Sequence, residues 1–182
     1  PETMYRTNVE ATRALLRIQD GCDEHCTFCA TTLARGANRS RGADELVAEA
    51  EQLADHHPEV VLTGVHIGSY GSDTGSSLGE LVESLVRAVP KVRFRLSSVE
   101  ATEVDDRLRE RLAAHDGGLV PYLHAPLQSG PDRVLRRMGR HRYTAATYAR
   151  AIEPIVRDAT VGRLRADVIA GFPGETDADH QA

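Results

Sequence analysis

Five times along this 182-residue chain a strand signal is followed by a helix signal, and that alternation limits the possible folds more than any other feature. Residues 14–19 (ALLRIQ) read as a short strand. Residues 44–57 place Leu46, Val47, Ala50, Leu53 and Ala54 at helical spacing and stop at Pro58. Residues 60–64 form an apolar strand ending in glycine. Ser77 and Glu80 then make a capping-box pair ahead of Leu81, Val82, Leu85, Val86 and Val89. Residues 92–98 alternate, with Val92, Phe94 and Leu96 on one face and Arg93, Arg95 and Ser97 on the other. Thr102 is expected to open the next helix, which carries Val104, Leu108 and Leu112. Residues 120–125 make the fourth strand, and Pro131 starts a helix with Val134, Leu135 and Met138. A further helix spans 144–158, where Pro154 is expected to kink or break it. Residues 164–170 are the fifth strand, and a last helix begins at 176–180.

Repeated strand–helix units imply a parallel sheet with right-handed crossovers. The pattern alone does not separate an open doubly wound sheet from a barrel. Arg93, Arg95 and Ser97 cannot all lie under helices, however, so one face must line a polar cleft. That favours a partial, splayed α/β barrel with a ligand inside. Residues 1–12 are polar and irregular and read as a lead-in or linker, leaving 13–182 as the core domain.

In parallel α/β folds ligands collect at the carboxyl ends of the strands. The loop after the first strand holds all three cysteines, Cys22, Cys26 and Cys29, in a C-x3-C-x2-C array opened by Gly21. Three closely spaced thiolates suit one face of a 4Fe-4S cluster, which ordinarily takes four. With no fourth cysteine in the sequence, one iron keeps an open position, and open positions are where metals do chemistry. The alternative is a structural zinc site with His25 or a distant histidine as the fourth ligand.

C-x3-C-x2-C with Phe28 just before the last cysteine resembles the signature of the radical S-adenosylmethionine enzymes. The resemblance implies a partial (β/α)6 barrel, here truncated after about five strands. It also implies that the open iron binds the amino and carboxylate groups of S-adenosylmethionine. One electron then splits the sulfonium to give a 5′-deoxyadenosyl radical. Phe28 would pack near the adenine. Gly64, after strand 2, resembles the glycine-rich element holding the methionyl amino group. Ser98 and Glu100 follow strand 3, and Gln128 and Ser129 follow strand 4, where they suit hydrogen bonds to a ribose or carboxylate. DVIAGFPGE resembles the element beside the adenine through Ile169 and Gly171.

Together, LRIQDGCDEHCTFC, LTGVHIGSYG, RFRLSSVE, HAPLQSG with DRVLRRM, and DVIAGFPGET are similar to the methylthiotransferases. TGVHIGSYG and RLSSVE are most similar to the group acting on N6-threonylcarbamoyladenosine in tRNA. The resemblance covers residues from about 16 to 176. It implies a methylthio group inserted at C2 of that nucleoside in the anticodon loop. It further implies a second 4Fe-4S cluster on an N-terminal domain, a C-terminal RNA-binding module, and a flavodoxin- or ferredoxin-like electron donor. Within the same chemistry, isopentenyladenosine in tRNA and an aspartate of a ribosomal protein are the other substrates. From a different class, a structural zinc-binding or interaction module stays open. No side chain is assigned as general acid or base.

The formal net charge of −5 argues against this stretch alone holding a nucleic acid, which needs a basic surface. Arg35, Arg39 and Arg41 are the substrate-contact candidates, and Arg133, Arg136, Arg137, Arg140 and Arg142 form a second basic group. Both read equally as solvated faces. No apolar run reaches the roughly 18 residues of a membrane helix. An odd cysteine count with metal-like spacing fits a reducing cytosol, so a cytoplasmic location is expected.

Overall fold

The computed structural model describes residues 11–158 and 161–181; most of the expected lead-in, residues 1–10, lies outside them. The elements run β1 (Arg13–Arg17), β2 (Gln19–Asp20), α1 (Thr31–Arg35), β3 (Arg39–Ser40), α2 (Ala43–Leu53), β4 (Glu59–Thr63) and α3 (Leu78–Ala88). They continue with β5 (Arg93–Leu96), α4 (Asp106–Ala113), β6 (Tyr122–His124), α5 (Asp132–Arg137), α6 (Ala145–Arg157), β7 (Arg163–Arg165) and α7 (Asp177–His180).

Strand order decides the architecture. β1, β4 and β5 pair in parallel in that order, and β6 pairs in parallel with β7. Bridges Phe94↔Leu119 and Ser98↔His124 join the two sheets. Each new strand is added on the same side, so there is no reversal of order as in a doubly wound sheet. The result is a partial barrel, splayed between β5 and β6. Register stacks the outward rows Ala14↔Val60↔Phe94 and Leu16↔Leu62↔Leu96, all buried, under α2, α3 and α4. Each fully buried leucine there stabilises the fold by about 1.5–3 kcal/mol.

The inward face carries the arginines that the alternation in β5 foretold, beside Leu15 and Val61. Its content differs from a bare ligand lining: Arg13, Arg93 and Arg95 all turn to Glu59, at 2.7, 2.7 and 2.6 Å. Three further expectations are corrected. The fourth helix begins at Asp106 rather than Thr102, because the Asp105 carboxylate caps it by accepting from the Leu108 N–H at 2.7 Å. α6 runs unbroken through Pro154, which sits in its last turn, four residues after the exposed Arg150, whose carbonyl it cannot bond. Ser77 accepts from the Glu80 N–H as foreseen, but the Glu80 carboxylate takes its hydrogen bond from Ser76. Among the described residues no helix is long and apolar enough to cross a membrane.

Candidate functional site

The cysteine loop lies at the carboxyl end of β1, clamped at its base by the two-residue antiparallel ladder β2–β3. Gly21 opens it with φ +74, and a Cβ there would stand 1.8 Å from the Ala37 carbonyl oxygen. Only glycine fits so close an approach in a left-handed conformation. The Cys22 N–H then donates to Gly36 O, and the Asn38 N–H to the Asp23 carboxylate. The far side docks on the C-terminal end of α5. There the Thr27 N–H donates to Met138 O at 2.9 Å, and Gly139, with φ +77, passes against the His25 carbonyl. Arg142 also pairs with Glu24 in the loop.

Gln19, fully buried, ties this loop to the end of β4. Its side-chain N–H₂ donates to Gly21 O and Asn38 Oδ1, both at 2.6 Å. Its oxygen accepts from the N–H groups of Val65 and His66 at 3.0 and 2.8 Å. Gly64 belongs to this packing: a Cβ there would stand 2.7 Å from the Gln19 carbonyl.

One cavity gathers the chemistry. Cys22, Cys26, Phe28 and Cys29 wall it together with Val65, His66, Ser98, Val99, Glu100, Pro126, Gln128 and Arg140. Of the residues expected from sequence, the three cysteines, Phe28, Ser98, Glu100 and Gln128 therefore meet at one place. Gly64, Ser129, Ile169 and Gly171 are not among the residues that wall it. Ile169 is nevertheless tied to the rim, its N–H donating to Gln128 O at 2.8 Å. Arg35, Arg39 and Arg41 are also outside. Arg41 is committed to Glu45, Glu49 and the Arg17 carbonyl, and Arg39 to Asp20 and the carbonyls of Arg35 and Ala37.

Four residues of the site escape a reading by spacing: Gln19, His66, Glu103 and Arg140. His66 was visible in TGVHIGSYG, beside the glycine that drew attention. Arg140 was visible only as one of a basic group, yet its side chain is 11% exposed and its Nη1 donates to Glu100 Oε1. Among the described residues, Glu100 Oε2 and Arg140 Nε are buried without a hydrogen-bond partner. Burial raises the Glu100 carboxyl above the usual carboxylate range despite Arg140. Burial likewise raises the thiols of Cys22 and Cys26. His66 Nε2 lies 2.8 Å from Glu103 Oε1, and its Nδ1 lies 3.7 Å from Cys22 Sγ. Burial disfavours the charged imidazole, but the carboxylates of Glu103 and Glu100 outweigh it and raise its pKa.

The donor set discriminates between metals. Thiolates and a histidine around a single tetrahedral zinc would all lie within about 4 Å of one another. Among the described residues, the three cysteine sulfurs do not lie even within 4.8 Å of one another; the group of three donor atoms that does is His66, Glu100 and Glu103. His25 is exposed and does not wall the cavity. Sulfurs set apart around one cavity fit a cluster in which each thiolate holds its own iron. The unmet acceptor of Glu100 and unmet donor of Arg140 fit a zwitterion, an ammonium for the one and a carboxylate for the other.

The threonylcarbamoyladenosine tRNA methylthiotransferase MtaB of Thermotoga maritima is 40% identical over 174 residues, which span 94% of this chain and 40% of that protein. The Bacillus subtilis protein of the same name is 41% identical over 173 residues, 93% of this chain and 38% of its own length. The tRNA-2-methylthio-N(6)-dimethylallyladenosine synthase of a Jannaschia species is 40% identical over 178 residues, 93% of this chain and 37% of that protein. The chain thus spans about two fifths of the length of the curated relatives it matches. A solved structure of the cobalamin-dependent S-adenosylmethionine radical enzyme OxsB, with aqua-cobalamin and S-adenosylmethionine bound, shares the fold. Its TM-score is 0.64 at 18% identity, over 85% of this chain and 23% of that one. The family description "Radical SAM superfamily" matches residues 16–182, and the chain belongs to that superfamily.

Proposed function

We propose that residues 13–182 are the cofactor-binding core of a tRNA methylthiotransferase acting at C2 of N6-threonylcarbamoyladenosine in the anticodon loop. Cys22, Cys26 and Cys29 hold a 4Fe-4S cluster by three of its irons. Glu100 and Arg140 receive the methionyl ammonium and carboxylate of S-adenosylmethionine, Phe28 lies along its adenine, and Ser98 and Gln128 offer neutral hydrogen bonds. A cluster and S-adenosylmethionine bound there would supply a 5′-deoxyadenosyl radical by one-electron reductive cleavage of the sulfonium. The chain's own contribution is position and exclusion of water: Val65, Val99 and Pro126 give the cavity apolar walls beside the charged pair. A second cluster, an RNA-binding module and a flavodoxin- or ferredoxin-like donor belong to the same reading, as parts of the full-length protein and its partners.

The observation that carries this reading is the meeting of three cysteines with an unsatisfied Glu100–Arg140 pair in one cavity. The names of the Thermotoga and Bacillus relatives support the substrate, while the Jannaschia relative, equally similar, points to dimethylallyladenosine. The test is to incubate anaerobically reconstituted full-length protein with S-adenosylmethionine, a reductant and tRNA bearing either nucleoside, followed by nucleoside mass spectrometry. Methylthiolation of the threonylcarbamoyl substrate is expected. Exclusive reaction with the dimethylallyl substrate would reassign the specificity, and a colourless protein with stoichiometric zinc would overturn the reading.

A further inference from the structure

His66 is poised between two acceptors. On one side its Nδ1 stands 3.7 Å from Cys22 Sγ, within reach of an N–H···S hydrogen bond. On the other its Nε2 faces both oxygens of Glu103, at 2.8 and 3.0 Å. A cluster-bound thiolate and a carboxylate both only accept, so the ring meets each with an N–H. Its side chain is 10% exposed, and Glu103, itself paired with Arg142, is 12% exposed. The backbone is held as well. The same Gln19 that fixes the root of the cysteine loop accepts the His66 N–H, so ring and sulfur are set by one buried scaffold. The other donor to this sulfur is the Glu24 backbone N–H at 3.4 Å, which no side-chain substitution removes.

The His66, Glu100 and Glu103 ligand atoms also lie close enough together to suggest a separate cation site. Arg140 already pairs with Glu100 and Arg142 with Glu103, so the carboxylate charge is answered without an added ion. The arrangement serves the thiolate better than a second metal.

We infer that His66, anchored by Glu103, donates a hydrogen bond to the Cys22 sulfur and thereby raises the reduction potential of the cluster that this sulfur ligates. The inference rests on the cluster reading above. A donor aimed at a ligating sulfur stabilises the extra negative charge of the reduced state, and hydrogen bonds to cluster sulfurs are a recognised lever on potential. His66 acts through Cys22 and is therefore a positioning residue.

The experiment is an EPR-monitored redox titration of anaerobically reconstituted full-length protein, following the signal that shifts on addition of S-adenosylmethionine. H66L should move that couple to more negative potential. H66N, whose amide can place an N–H where Nδ1 lies, should recover most of the shift. In the unsubstituted protein labelled with ¹⁵N-histidine, electron-nuclear double resonance of the reduced cluster should show a weak nitrogen coupling that H66N abolishes. Unchanged potential in H66L, or no such coupling, would overturn the inference while leaving the cluster reading intact. A strong coupling would overturn it too, by making His66 an iron ligand. Absence of any S-adenosylmethionine-responsive cluster in the unsubstituted protein would overturn both. Should H66L fail to load, the labelled protein and H66N still decide.

Discussion

Two glutamates are buried at opposite ends of the same barrel, and the protein treats them differently. Glu59 starts β4 at the amino-terminal rim, 1% exposed, with Arg13 and Arg95 on one oxygen and Arg93 on the other. Burial works against its charge, but the arginines prevail and hold its pKa below the usual carboxylate range. Glu100 follows β5 at the carboxyl-terminal rim, 5% exposed, with Arg140 on one oxygen and, among the described residues, no hydrogen-bond donor on the other. Here burial prevails and its pKa rises. A carboxylate whose bonding is complete is architecture. One left half-bonded beside three cysteines is, under the proposed function, where the ligand's ammonium binds, and the cost of leaving it so would be recovered there.

The contrast is breakable by substitution. E59Q leaves three guanidinium groups around an uncharged amide and should lower unfolding free energy by roughly 3 kcal/mol. That is the low end for breaking a buried ion pair, because Arg13 and Arg93 remain more than half exposed to water. Chemical denaturation measures this, and affinity for S-adenosylmethionine in the loaded protein should not change. E100Q should do the reverse. Its stability should fall by less than that of E59Q, because burial already disfavours the Glu100 charge that Arg140 would lose. Its S-adenosylmethionine affinity should fall at least tenfold, or about 1.4 kcal/mol, by equilibrium binding to the loaded protein. Equal loss of stability in both variants would erase the distinction.

A smaller effect lies in pH dependence. With its folded pKa lowered, Glu59 contributes stability that is complete above about pH 4.3, the unfolded value, and is lost as pH falls through the lower folded value. With its folded pKa raised, Glu100 contributes stability that is complete below about pH 4.3 and is lost as pH rises through the folded value. Stability measured against pH should therefore lose part of its acid-side slope in E59Q, the rest belonging to aspartates whose pKa is also lowered. In E100Q it should lose part of its decline above that pH.

What could be read in the sequence was what repeats. The period of two in Val92, Phe94 and Leu96 and the helical spacing of Leu81, Val82 and Leu85 reported burial, since one face of each element must leave water. Parallel pairing followed once the units were seen, whereas the strand order itself came from the fold, and the cysteines declared themselves by spacing. What stayed hidden was polar and non-local. Nothing in the neighbourhood of Gln19 announces that its amide bonds Asn38, Val65 and His66 at once. Arg93 and Arg95 looked like a ligand lining because their common partner, Glu59, is more than thirty residues away. The β2–β3 ladder spans two residues on each side, too short for any periodic trace. Arg41 shows the same limit: its charge was plain, but its engagement with Glu49 required the fold.

The account stands most directly on one spectrum, the EPR signal of the reduced, anaerobically reconstituted protein recorded with and without S-adenosylmethionine. A 4Fe-4S signal whose g values move when S-adenosylmethionine is added, and which disappears when any one of Cys22, Cys26 and Cys29 is changed to alanine, is the predicted result. A protein that takes up a single zinc in place of iron and sulfide, or a cluster indifferent to S-adenosylmethionine, would contradict it.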